Sequence, residues 1–340
     1  MSLKGKRVLV TGACGTVGSE LIKCLIQKDC EEILGLDNNE SELFFIDQEY
    51  KKYENVNFFL CDVSKYENFE GFCEDIDIIF HAAALKHVIL CEKTPKEAVS
   101  NNILGVQNII SAARRNKVSK VIFTSSDKAV NPTNVMGTTK LMGERLITAA
   151  NSSARPKGPI FSSTRFGNVL GSSGSVIPIF RQQIENGGPV TVTDYRMTRF
   201  IMTINEAAKL VLDSHKYAKG GEVFITKMPV IRIIDLAEVM IEEIAPEYGF
   251  DPKSIEIKEI GAKPGEKLYE ELMSEEETRR AVELTEYFSV LPAFRSVYKD
   301  INYDYVEIVE KEVNNPYISS AEPALTKEEL KEFLILNKLL

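Results

Sequence analysis

A β-branched run from Arg7 to Thr11 leads directly into Gly12-Ala-Cys-Gly15-Thr-Val-Gly18, and a stretch of helical spacing begins at Ser19 and Glu20. Glycines at that spacing meet three separate needs. One turns the backbone sharply, one lets it approach a pyrophosphate, and one lets helix and strand pack closely, while the helix N-terminus offers N–H donors and a positive dipole end. A glycine triplet alone is a weak signal. Here it follows a strand, precedes a helix, and is followed by Asp37 at the end of the next strand-like run. That context predicts a dinucleotide turn, with Gly12, Gly15, Thr16, Val17 and Gly18 around the pyrophosphate and Asp37 on the adenosine ribose. Asn38, Asn39 and Glu40 follow Asp37 where a 2′-phosphate would require Arg or Lys, so the expected cofactor is NAD rather than NADP.

Strand-like runs at Arg7–Thr11, Glu32–Asp37, Asn55–Asp62, Ile76–Ala83, Lys120–Ser126 and Phe161–Phe166 alternate with helix-length stretches at Glu20–Lys28, Ser41–Tyr53, Pro95–Asn116 and Met136–Ala150. Alternation of this kind predicts an α/β fold, a doubly wound parallel sheet of the Rossmann type. Residues 1–166 form the NAD-binding domain in this reading. In residues 167–340, loops rich in Gly, Ser and Pro take over; these are assigned to a smaller C-terminal substrate-binding lobe, whose strands can return to the main sheet. A last helix, Thr326–Leu339, opens with a Thr-Lys-Glu-Glu capping pattern. Asp62-Val63, ending the third strand, suits adenine recognition, against an Asp that merely caps its loop. His81-Ala82-Ala83-Ala84 ends the fourth strand with small side chains that let a flat cofactor lie close, and His81 reads as a hydrogen-bonded strand-end residue rather than a catalyst.

With 340 residues and 44% apolar content, the chain can bury a core large enough for two lobes. Its net charge of -9 excludes a general nucleic-acid or anionic-membrane surface, so an anionic ligand must meet locally placed cations. No apolar run reaches the roughly 18 residues needed to span a bilayer, and a cytoplasmic protein without a membrane partner is expected. All six cysteines lie in the first third without CxxC pairs, which reads as reduced thiols and no metal site.

A longer pattern narrows the reading: Thr124-Ser-Ser-Asp-Lys-Ala-Val-Asn-Pro-Thr-Asn-Val-Met-Gly-Thr-Thr-Lys140, with Ala84-Leu-Lys-His-Val88, Arg165-Phe-Gly-Asn-Val-Leu-Gly171, Val192-Thr-Asp194, Met197-Thr-Arg-Phe200 and Lys263-Pro-Gly-Glu-Lys267. Over residues 5 to 275 the chain resembles extended short-chain dehydrogenase/reductases, and among them the UDP-N-acetylglucosamine 4,6-dehydratases of bacterial glycan biosynthesis. The resemblance implies hydride transfer from sugar carbon 4 to NAD, loss of water across carbons 5 and 6, and hydride return to carbon 6. Such chemistry needs a base for the carbon-4 hydroxyl, a base for the carbon-5 proton and an acid for the departing carbon-6 hydroxyl.

By the same resemblance Asp127 is the acid at carbon 6 and Lys128 the base at carbon 5, for which the amine's pKa must fall, as a desolvated pocket beside the oxidised nicotinamide's positive charge would favour. Lys140 would hold the nicotinamide ribose, and Ala82 and Ala83 would flank the cofactor. Lys86, Arg165, Asn168, Val169, Arg199 and Glu266 match positions on sugar and diphosphate, the arginines having structural salt bridges as the competing reading. Met136 stands where most members carry Tyr, four residues before Lys140, and Met cannot transfer a proton. The carbon-4 proton then falls to Asp127, alone or with Ser126, unless the protein binds its ligands without turning them over. One branch of the family carries Met here and mostly retains configuration at carbon 5, which favours retention. Helices matching Pro95–Asn116 and Met136–Ala150 form dimer interfaces in the wider superfamily, implying a homo-oligomer. Three alternatives stay open: a nucleotide-sugar 4-epimerase, a GDP-linked substrate, and a dinucleotide-sensing protein without catalysis.

Overall fold

Strand β1 (Arg7–Thr11) has no solvent face, and Val8, Leu9 and Val10 are fully buried. Side chains alternate along a strand. Val8 and Val10 therefore join one apolar cluster with Leu21, Ile22 and Leu25 of helix α1 (Thr16–Ile26), and Leu9 joins the opposite cluster with Val106 and Ile109. Cover on both faces is why the strands read as unbroken apolar runs.

The computed structural model describes residues 2–152, 158–171, 175–261, 265–294 and 301–340. In it β2 (Glu32–Asp37), β3 (Val56–Leu60), β4 (Ile78–His81), β5 (Lys120–Thr124) and β6 (Ile160–Arg165) lie parallel to β1, in the order β3-β2-β1-β4-β5-β6. This is the doubly wound α/β sheet that the alternation predicts. Val10 is flanked by Gly35 of β2 and Phe80 of β4, so the winding reverses beside β1, and a crevice opens at the carboxyl ends of these strands.

Past β6 the chain returns to the same sheet. Val223–Thr226 pairs parallel with β6, and Tyr287–Val290, Ala281–Leu284 and Ile308–Glu310 extend the sheet antiparallel. A third cluster, containing Phe180, Leu236, Leu330 and Leu334, packs the helices Val176–Glu185, Ile233–Ile244 and Lys327–Leu336 together. The last of these opens with the expected reciprocal cap between Thr326 and Glu329. Beside this cluster, Thr198–Met202 pairs with Val230–Arg232 on one side and Asn168–Val169 on the other.

Several elements differ from the sequence reading: the strands expected over Ile76–Ala83 and Lys120–Ser126 shorten to Ile78–His81 and Lys120–Thr124, and two others differ more. The single helix expected over Pro95–Asn116 is Pro95–Val99, a wide turn at Ser100–Leu104, and Gly105–Arg115. Asn102 occupies that turn, its amide bonded to Leu85 N (2.8 Å), Leu85 O (3.0 Å) and Thr139 Oγ1 (3.0 Å), which anchors the loop after β4. Strand β3 is shorter than expected; as the sheet edge it leaves Phe59 and Leu60 exposed.

Arg165, at the end of β6, is a correction. It is 1% exposed, and its fork is filled by Glu144 (2.6 and 3.0 Å), Glu277 (3.0 and 3.1 Å) and Leu272 O (2.7 Å), so none of it is offered to a sugar diphosphate. Burial alone pushes the Glu277 carboxyl up, but Arg165 outweighs it and holds the group at about 2, against an ordinary value of 4.5. A depressed folded pKa gives stability that is complete above the unfolded value and lost as pH falls through the folded one. Glu277→Gln is expected to lower stability at neutral pH by about 3–5 kcal/mol. In urea titrations between pH 5 and 2 it should also flatten the parent's acid decline; an unchanged slope would show that the ion pair contributes nothing.

Candidate active site

The turn after β1 cannot carry side chains at two of its glycines. Gly12 has φ +72°, and a Cβ there would lie 2.6 Å from Ala83 N; at Gly18 it would lie 2.0 Å from Gly12 O. Gly15 precedes α1 without a side-chain cap, which leaves the first-turn N–H groups around Thr16 and Val17 to a ligand. A cavity of about 270 Å³ opens here, lined by Gly12, Gly15, Asp37, Val63 and Ala83. Asp37 is fixed at the end of β2 by accepting from Cys14 N (2.9 Å) and Asn39 N (3.0 Å). Ala82 continues the strand pairing through its N–H to Thr11 O. Asp62 takes the competing role: its Oδ1 accepts from Ser64 N (2.9 Å) and Ser64 Oγ (2.7 Å), so it caps its own loop while Val63 lines the cavity. His81 is buried against Thr11 Oγ1 (2.7 Å), and burial, aided by Lys140, pushes its pKa down to about 3. It is neutral and structural, as its place at a strand end implies.

At the end of β5 the chain is pinned to β6: Ser125 N donates to Thr164 O and Asp127 N to Phe166 O. The Asp127–Ala129 turn that follows projects two side chains into a second cavity of about 590 Å³. Lys128 Nζ lies 2.9 and 3.2 Å from the Asp127 oxygens, and Ser126 Oγ donates to Asp127 Oδ1 at 2.7 Å. The segment after β4 borders both cavities, the loop Ala83 to Leu85 in the first and His87 to Leu90, at the start of the helix Val88–Lys93, in the second. The crevice therefore runs along the carboxyl ends of β1, β2, β4 and β5.

Glu270 is among the residues of this cavity that the sequence reading missed. Glu270 is 5% exposed and accepts from Asn168 Nδ2 (2.8 Å to each oxygen) and Phe200 N (3.2 Å), with Arg199 Nε at 3.3 Å and Lys128 Nζ at 3.8 Å. Burial, then Asp127, push its carboxyl up to about 7 against the pull of Lys128 and Arg199. Burial also pushes Asp127 up, but Lys128, Ser126 and Arg199 together hold it below the ordinary range. Among the protein's own groups the balance at Lys128 raises the amine's pKa, whereas the fall expected of a base was tied to the positive charge of an oxidised nicotinamide beside it. Burial pushes it down, yet Asp127 and Glu270 outweigh that, and the amine is held as an ammonium.

The other expected residues divide. Asn168, Arg199 and Glu266 line the second cavity. Arg199, however, spends its donors on Thr198 O (2.7 Å), Lys267 O (3.0 Å) and Leu268 O (3.2 Å), so it anchors the Gly265–Leu268 turn rather than presenting a free fork to phosphate. Glu266 faces it at 3.6 Å. Lys263 and Pro264 of that motif lie outside the described residues. Val169 packs against the core, and Lys86 is exposed beside His87. Lys140 is buried, donating to Thr124 O at 2.9 Å, and burial lowers its pKa to about 8 despite Glu144. Met136 is buried with Cys91 and Ala98 in a small apolar cluster, where it exchanges no proton. Among the described residues no group of three or more His, Cys, Asp or Glu is placed to hold a metal ion, and no helix is long and apolar enough to cross a membrane.

Residues 8–292 match the family described as polysaccharide biosynthesis protein. The chain is 48% identical, over 97% of its length and 96% of the relative's, to a Methanocaldococcus jannaschii protein described as an uncharacterized membrane protein. It is 36% identical to the UDP-glucose 4-epimerase of Rickettsia conorii (97% and 95% covered) and 36% identical to the UDP-N-acetylglucosamine 4,6-dehydratase (inverting) of Campylobacter jejuni (90% and 89%). It spans only 46% of the longer capsular polysaccharide biosynthesis protein CapD of Staphylococcus aureus, at 44% identity over 81% of its own length. The X-ray structure of Pen from Bacillus thuringiensis superposes with a TM-score of 0.92 at 42% identity, with both chains fully covered. The chain thus belongs to the polysaccharide biosynthesis protein family, among relatives that include nucleotide-sugar dehydratases and epimerases.

Proposed function

We propose that the protein is an NAD-dependent 4,6-dehydratase of UDP-N-acetylglucosamine. The observation that carries this reading is the Asp127–Lys128 pair, held in contact at the end of β5 and facing a cavity wide enough for a hexose. The side-chain-free glycine turn and Asp37 fit a dinucleotide, and the absence of a cation after Asp37 in the sequence favours NAD. The Gly12–Gly18 turn and Asp37 would hold a nicotinamide dinucleotide, which would supply the hydride acceptor for sugar carbon 4 and the hydride donor for carbon 6.

The chain's own residues handle protons. Asp127, steadied by the Ser126 hydroxyl, takes the carbon-4 hydroxyl proton that Met136 cannot take, and later gives it to the departing carbon-6 oxygen. Lys128 removes the carbon-5 proton, which the new carbonyl has made acidic. A proton delivered by the same amine to the same face leaves carbon 5 with its configuration retained; the C. jejuni relative bears the description inverting, and NMR of the product decides between them. Assembly as a homo-oligomer through the helices Gly105–Arg115 and Val135–Ala150 belongs to the same proposal.

The R. conorii relative supports a second reading, 4-epimerisation. An epimerase leaves the carbon-6 hydroxyl in place and has no use for an acid beside it. Mass spectrometry after incubation with UDP-N-acetylglucosamine separates the two: loss of one water supports dehydration, and an unchanged mass with a new 4-epimer supports the alternative. Asp127→Asn and Lys128→Ala are each expected to lower the rate of water loss by about 10²–10⁴-fold while NAD stays bound. A Lys128→Ala protein that turns over at the parent rate contradicts the assignment. Titration with UDP and GDP by calorimetry is expected to show tighter binding of UDP.

A further inference from the structure

We propose that Glu270 takes a proton from Lys128 once the sugar has been oxidised, freeing the amine to remove the carbon-5 proton, so that elimination cannot run ahead of oxidation. The inference rests on the dehydratase reading above. Glu270 Oε1 lies 3.8 Å from Lys128 Nζ, with the Asp127 oxygens at 2.9 and 3.2 Å from the same nitrogen. The 3.8 Å separation is about an ångström more than a hydrogen bond, and Lys128, whose side chain is 33% exposed, must close it by a rotamer adjustment. The receiving carboxylate is held still by Asn168 and Phe200 N.

Among the described residues, few charged groups surround Glu270. Asp127 and Lys128 face it from the turn after β5, and Arg199 from the strand Thr198–Met202. On its own segment, Glu266 is turned to Arg199 at 3.6 Å, and Glu271 is paired with Lys267 at 2.8 Å.

An ammonium has no lone pair and cannot take a proton from carbon. When the carbon-4 hydroxyl proton moves to Asp127, that carboxylate becomes neutral and Lys128 loses its nearer counter-charge. The remaining acceptor is Glu270, whose acid form its burial already favours. An N–H bond of Lys128 breaks, an O–H bond forms on Glu270, and the electron pair stays on nitrogen. The amine then bonds the carbon-5 proton. The carbon–hydrogen pair becomes the carbon 5–carbon 6 double bond, the carbon 6–oxygen bond breaks, and the Asp127 proton leaves with that oxygen as water. As hydride returns to carbon 6, Lys128 gives carbon 5 a proton and recovers its own from Glu270. Glu270 acts through Lys128 and is a positioning residue in this scheme.

The sign of one substitution separates this role from a plain counter-charge. If Glu270 only held the ammonium, Glu270→Gln would lower the amine's pKa and speed carbon-5 deprotonation; if it accepts the proton, the same change slows it. The test compares parent, Glu270→Gln and Glu270→Asp in deuterium oxide with UDP-N-acetylglucosamine, following nicotinamide reduction by absorbance and deuterium at carbon 5 and water loss by mass spectrometry. Expected for Gln are parent-like nicotinamide reduction, kcat lower by about 10²-fold or more with KM within about threefold, loss of carbon-5 deuterium, and loss of the parent's decline in kcat below pH about 7, with partial rescue in Asp. In the free protein, nitrogen-15 NMR of the Lys128 amine is expected to show an inflection near that pH in the parent and none in Gln. Equal or faster carbon-5 exchange in Gln, or abolished nicotinamide reduction, overturns the inference. A parent that releases no water from the sugar defeats the dehydratase reading itself, and this inference falls with it.

Discussion

The site depends on one ammonium shared between two buried carboxylates. Asp127 and Glu270 are 4% and 5% exposed, and two anions in so little water repel each other unless a cation stands between them. Lys128 is that cation, at 2.9 Å from one and 3.8 Å from the other. Three titration shifts go with this arrangement: Asp127 is held low and Lys128 held high by their mutual attraction, which outweighs burial, and Glu270 is pushed up to about 7 first by burial and then by the charge of Asp127. Such coupling makes the protonation of each group conditional on the other two, which a reaction with ordered proton transfers requires.

The scaffold serves this arrangement by rigid means. Asp127 and Lys128 ride on a turn whose backbone is bonded to β6, so their placement follows from two adjacent parallel strands. Glu270 arrives from a different part of the chain, fastened through Asn168 and the Thr198–Met202 strand. Arg199 ties the Gly265–Leu268 turn to that same strand. The wall toward the first cavity is the loop after β4, which Asn102 grips from beneath. Chemistry thus sits on loops whose positions are set by a close-packed core.

How much of this could be read in the sequence depended on the range of the interaction. The glycine turn and Asp37 were legible because their demands are local: a positive φ at Gly12, no room for a Cβ at Gly18, and a carboxylate at the next strand end. The parallel core was legible because burial on both faces writes unbroken apolar runs. Asp127 and Lys128 were legible from their place after β5 together with the long motif around them. Arg165 was misread because a forked cation suits a phosphate and a carboxylate equally, and its partners Glu144 and Glu277 stand 21 and 112 residues away. Glu270 was missed for the same reason: the Asn168 that marks it as part of the site is 102 residues distant, and no periodicity joins them. The strands Ala281–Leu284 and Ile308–Glu310 were not foreseen either, being four and three residues long and specified by pairing rather than pattern.

The most direct measurement is a crystal structure with NAD and UDP-N-acetylglucosamine bound in the crevice. The account requires the hexose in the larger cavity, with the Asp127 carboxylate within hydrogen-bond reach of the carbon-6 oxygen and the Lys128 amine facing carbon 5. A sugar seated elsewhere, with both side chains open to bulk water, would contradict it.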